Sequence, residues 1–123
     1  LPENRVVEFM PLESREYWKS LINMGLSKFL VLRTLKEGPT YGYIILKKVS
    51  EFTKGCCTPT YGAIYPILKE LLDGEYVKAK TEIVEGRRRI IYELTEKGEN
   101  AYSVAYAAWK EVVPFLNRII EDN

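Results

Sequence analysis

The chain of 123 residues contains no histidine. That removes the commonest general base, the Ser-His and Cys-His nucleophile pairs and the commonest metal ligand together. Glutamine is absent too, and the two cysteines, Cys56 and Cys57, are neighbours that cannot staple distant parts of the chain. Adjacent cysteines bridge only with backbone strain, so ordinary packing is preferred here to a redox or metal sensor. No paired carboxylates and no phosphate-cradling glycine loop occur, so neither an enzyme nor a bound metal or cofactor is expected. Long apolar runs are missing: Phe29 to Leu32 is among the longest, against roughly 20 residues needed to cross a bilayer. Leu1 to Met10 carry Glu3, Arg5 and Glu8, which does not fit a signal peptide, and no membrane partner is expected. The expected location is cytoplasmic.

What is present suits one small domain with an appended arm or association helix, since 46% of the residues are hydrophobic. The net charge is only +1. From Thr40 to Gly98 ten cations face eight anions, and from Glu99 to Asn123 two face four, so the middle is mildly basic and the tail mildly acidic. Distribution rather than total charge decides whether nucleic acid is a partner.

The stretch from Thr58 to Gly74 reads as one helix with two faces. Ile64, Ile67, Leu68 and Leu71 form an apolar stripe, while Gly62, Tyr65, Pro66 and Lys69 lie opposite. Thr60 is the expected cap and Gly74 the expected left-handed end. Pro66, in the second turn, predicts a local bend. Before it, Ser14 to Met24 suit a short amphipathic helix closed by Gly25; Ser27 is expected to cap a second helix ended by Glu37-Gly38-Pro39, and Thr40 to open a third, Tyr41 to Thr53. After Gly74 the period changes to two over Val77–Val84 and Arg89–Leu94, predicting a β-hairpin with Glu85-Gly86-Arg87-Arg88 at its tip. Thr95 restarts a helix whose Tyr102, Tyr106, Trp109, Val113, Leu116 and Ile120 form a long apolar face, with a kink expected at Pro114. Such a face left uncovered points to self-association.

Three pieces resemble the PadR-like transcriptional regulators: Gly38-Pro39-Thr40-Tyr41-Gly42-Tyr43, Gly62-Ala63-Ile64-Tyr65-Pro66-Ile67-Leu68 and Tyr92-Glu93-Leu94-Thr95-Glu96-Lys97-Gly98. Ile44 stands where the family commonly has an acidic residue, and Tyr61 where it commonly has proline. The resemblance implies a mainly α fold with a small β-hairpin, a winged helix-turn-helix followed by a C-terminal dimerisation helix. Residues 1–25 would be an arm with a short helix, 26–98 the DNA-binding domain and 99–123 the dimerisation helix, built on Tyr102, Tyr106, Trp109, Val113, Leu116 and Ile120. It implies a homodimeric repressor of transcription, bound to double-stranded DNA and released by a small aromatic effector or another signal.

On that reading Thr60, Gly62, Ala63, Tyr65 and Lys69 enter the major groove. Arg87, Arg88 and Arg89 are wing-tip candidates for the DNA backbone or a narrow minor groove, with Arg87 and Arg88 better placed than Arg89, which belongs to the strand. Tyr41, Lys47 and Lys48 are candidates for phosphate contacts, with plain packing the alternative for Tyr41. Trp18 and Trp109 are candidates for an effector pocket, although aromatic residues at helical spacing more often form interface core. The competing function is a winged-helix protein-interaction module that does not read DNA.

Overall fold

A computed structural model describes residues 12–54 and 60–123; Cys56 and Cys57, like Leu1–Pro11, lie outside the described residues. The first helix, α1, spans Arg15–Lys36. Ser14 caps it, its hydroxyl accepting from the Tyr17 amide at 3.3 Å. The break expected between Gly25 and Ser27 does not occur. Ser27 caps nothing; its hydroxyl donates 2.6 Å back to the Asn23 carbonyl, which a helix interior permits. The buried residues of α1, Val31, Leu32, Thr34 and Leu35, all lie in its C-terminal half. Thr34 is tolerated there because its hydroxyl donates to the Leu30 carbonyl at 2.9 Å. The N-terminal half carries exposed Trp18, Leu21, Ile22 and Met24.

Thr40 does not open a helix either. Thr40–Tyr41 form a two-residue strand, β1, and the next helix, α2, spans Gly42–Phe52 with no side-chain cap at Tyr41. The third helix, α3, spans Tyr61–Asp73 and runs through Pro66. Proline deprives the Gly62 carbonyl of its helical partner, but both residues are exposed, so water can take that place. Thr60 caps α3 as expected, accepting from the Ala63 amide at 3.2 Å, an arrangement worth about 1 kcal/mol.

Gly74 ends α3 for a different reason from the one expected. Its φ is −87°, and the left-handed residue is Glu75, at φ 64°. The Tyr76 amide reaches the Leu71 carbonyl at 2.9 Å and the Glu75 amide the Leu72 carbonyl at 3.0 Å, the paired bonds of a Schellman cap. Glycine is required at 74 for space, because a Cβ there would lie 2.7 Å from the Tyr76 ring.

Strands β2, Val77–Val84, and β3, Arg87–Leu94, pair antiparallel, and β1 adds to the other side of β3, giving the order β1-β3-β2. The hairpin loop is only Glu85-Gly86, with φ of 53° and 76°, as a primed two-residue turn requires. Arg87 and Arg88 therefore belong to β3, opposite Val84 and Ile83, and not to the turn. The last helix, α4, spans Glu96–Glu121, passes through Pro114 and is capped by Thr95.

The core joins Val31, Leu32 and Leu35 of α1, Ile45 and Val49 of α2, Ile64, Leu68 and Leu71 of α3, Val77 of β2 and Tyr92 of β3. Helix α4 only touches it, through half-buried Tyr102. Its residues from Glu111 onward are all exposed.

Candidate nucleic-acid interface

The two-faced reading of α3 holds in the fold. Ile64, Leu68 and Leu71 are buried, so Gly62, Tyr65 and Lys69 are turned out and lie exposed, as does Thr60 ahead of them. The Tyr65 ring stands 5.9 Å from that of Tyr61, and each residue is 50% exposed. Lys69 pairs with Asp73 at 3.1 Å, but both side chains are largely exposed, so this pair holds the lysine weakly. Ala63 sits on the flank. With Ile67 it lines an open groove of about 630 Å³ whose other wall is Ser20, Asn23 and Met24 of α1.

Side chains alternate across the wing. Val77 and Tyr92 are buried, which assigns Thr81, Ile83, Arg88 and Ile90 to the core-facing side and Glu82, Arg87, Arg89 and Tyr41 to the other. The paired strands continue past the core, so Ile83 and Ile90 stay exposed beside Arg88. Arg87 and Arg88 are exposed and form no ion pair among the described residues. Lys47 is exposed on α2, whereas its neighbour Lys48 lies 4.0 Å from both Glu37 and Glu51.

A cleft of about 390 Å³ gathers these parts: Gly42 and Tyr43 begin α2, Tyr61 begins α3, and Arg87 to Ile90 form its wing side. Two helix N-termini thus open beside three arginines. The α2 terminus has no side-chain cap on its first amides. This juxtaposition suits a polyanion that touches α3 and the wing at once.

Tyr41 is engaged within the chain. Its hydroxyl donates to Glu82 at 3.2 Å, and its ring is parallel to that of Tyr43 at 5.9 Å. Burial raises the Tyr41 phenol above its ordinary pKa, Glu82 adds to the rise through its hydrogen bond and its charge, and Arg89 opposes it. The phenol stays a neutral donor. Burial likewise raises that of Tyr92. The sequence pattern did not assign Tyr43 and Tyr61 to this region, and it ranked Arg89 below Arg87 and Arg88. The available signal was two tyrosines spaced by two beside a hairpin strand, but the two-residue β1 that aligns them has no period to read.

The remaining assigned residues divide into two groups. Tyr102 stacks on Phe29 at 5.8 Å and Trp109 lies against the same ring at 5.8 Å, so both brace α4 to α1 within the chain. Tyr106, Val113, Leu116 and Ile120 are exposed, continuing the apolar stripe. Trp18 and Trp109 take separate partners: the Trp18 indole donates to the Leu12 carbonyl at 2.6 Å and stands edge-on to Tyr17. Among the described residues no cluster could hold a metal, and no helix is long and apolar enough to cross a membrane.

Three core helices, a short strand, a two-stranded wing and a trailing helix define a winged helix-turn-helix protein. Residues 31–104 match the Transcriptional regulator PadR-like family. The chain belongs to that family, whose members are transcriptional regulators. Among solved structures, a transcriptional regulator from Clostridium thermocellum is 25% identical, with a TM-score of 0.71 over 79% of this chain and 95% of that one. A protein from Streptococcus mutans is 30% identical, with a TM-score of 0.67 over 78% and 87%. A PadR family transcriptional regulator from Eggerthella lenta shares the fold over 99% and 98% of the two chains, at 21% identity and a TM-score of 0.70. No curated protein matches the chain.

Proposed function

We propose that this protein is a cytoplasmic, homodimeric repressor that binds double-stranded DNA through α3 and the wing and is released by a small aromatic effector or another signal. The observation that carries the reading is the cleft in which the start of α3 and the wing arginines meet, open to solvent and free of acidic lining residues. Gly62, Tyr65 and Lys69 would face the major groove, while Arg87, Arg88 and Lys47 neutralise phosphates. The α3 face offers no arginine or asparagine for bidentate base contacts. Selectivity then comes largely from DNA shape and the spacing of half-sites.

The dimer rests on the uncovered α4 stripe. An effector would act by shifting the two reading heads, and Trp18 and Trp109 are its candidate contacts. Duplex DNA binding measured against salt tests the reading: in a dimer, Arg88→Ala should flatten the slope of log Kobs against log salt by about 2. An unchanged slope removes Arg88 from the interface. No retention on duplex DNA at low salt would favour the protein-interaction module instead.

A further inference from the structure

We propose that Arg89 is a positioning residue, a latch that fixes the wing to the start of α2 and so sets where Arg87 and Arg88 stand relative to α3. The inference rests on the DNA-binding reading for its purpose and on the geometry of the free protein for its mechanism.

Arg89 lies on the side of β3 that carries Tyr41, and it is the half-buried member of three consecutive arginines. Its guanidinium carbon is 5.7 Å from the centre of the Tyr41 ring and 5.6 Å from that of Tyr43, and the two rings are parallel within 1°. One guanidinium nitrogen donates to the Tyr43 hydroxyl at 2.8 Å. Tyr41 in turn donates to Glu82, the residue directly opposite Arg89 in the hairpin register. The chain of contacts therefore runs from β2 through β1 to the first turn of α2 and back to β3.

A latch is needed at this point. Strand β1 pairs with β3 only at Ile91 and Tyr92, so from Arg87 to Ile90 the wing has backbone support from β2 alone. A two-stranded ribbon is marginal on its own. A planar guanidinium can lie against two rings and donate a directed hydrogen bond together, which an ammonium cannot reproduce. With its charge engaged in this way, Arg89 is a poor candidate for a direct phosphate contact.

The test compares Arg89→Met, Arg89→Lys and Tyr43→Phe with the wild type in the full-length protein. In the free protein, amide hydrogen exchange from Arg87 to Ile90 should speed up in both Arg89 variants, while the core amides of Ile64 and Leu68 keep their protection. On duplex DNA selected by the wild type, Arg89→Met and Arg89→Lys should each weaken binding by about tenfold with an unchanged salt slope. Tyr43→Phe, which keeps the ring and loses the bond, should weaken it about threefold. The proposal is overturned by unchanged wing exchange in the Arg89 variants, by full rescue with lysine, or by a slope flattened by about 2 in Arg89→Met, which would mark a phosphate contact. The exchange measurement needs no DNA, so it judges the latch even if the wild type binds none. If an Arg89 variant does not fold, Tyr43→Phe decides by the same readouts.

Discussion

At the scale of single residues, the informative positions are those where a side chain sits against its own preference. Glu75 holds φ at 64° to complete the Schellman cap of α3, although a residue with a Cβ is strained there by about 1 kcal/mol. Glu75→Gly should therefore raise the unfolding free energy by about 1 kcal/mol in chemical denaturation, and a loss of stability would show that the glutamate side chain matters more than its backbone. The caps at Thr60 and Thr95 were legible because a hydroxyl before an apolar period is a local signal. The cap after α3 was only half legible. Gly74 marks the right place, but which of two neighbouring residues turns left-handed depends on the Tyr76 ring, which crowds any Cβ at 74.

At the scale of elements, the continuity of α1 and the joint between α3 and α4 carry the mechanics. A glycine inside a helix costs about 1 kcal/mol relative to alanine, and a Cβ at Gly25 would meet nothing within 4 Å. Gly25→Ala should stabilise the protein by about 1 kcal/mol, whereas a true break at that residue would make the substitution neutral or harmful. Gly98 is the opposite case. A Cβ there would lie 1.9 Å from the Tyr76 carbonyl oxygen, because the Thr95 hydroxyl donates to the Glu75 carbonyl at 2.7 Å and the Lys97 amine to that of Gly74 at 2.7 Å. These bonds draw the first turn of α4 onto the end of α3. Gly98→Ala should cost about 3 kcal/mol, read from the same denaturation curves. Periodicity located α2, α3, α4 and the hairpin in the sequence, yet it split α1 at Gly25 and placed Arg87 and Arg88 in the turn. Their strand position follows from a two-residue loop, and a one-residue difference in loop length changes the face of every side chain beyond it.

At the scale of the whole molecule, two surfaces formed by the described residues matter most. One is the stripe of α4, including Leu116 at 51% and Ile120 at 62% exposure; the N-terminal half of α1 likewise exposes Trp18, Leu21, Ile22 and Met24. Replacing Leu116 by Glu should convert a dimer into a monomer in sedimentation while leaving the core intact, since Leu116 touches no core residue. A monomeric wild type would remove the two-fold geometry from the account. The sequence made this stripe visible but could not show that Tyr102 and Trp109 turn inward onto Phe29, because that depends on where α1 lies. The second surface is the cleft between the start of α3 and the wing. Selecting bound fragments from a pool of random duplex DNA with the wild-type protein tests its role most directly. The account predicts enriched fragments that carry two half-sites with centres about one helical turn, 34–36 Å, apart. Failure to enrich any fragment at low salt would contradict it.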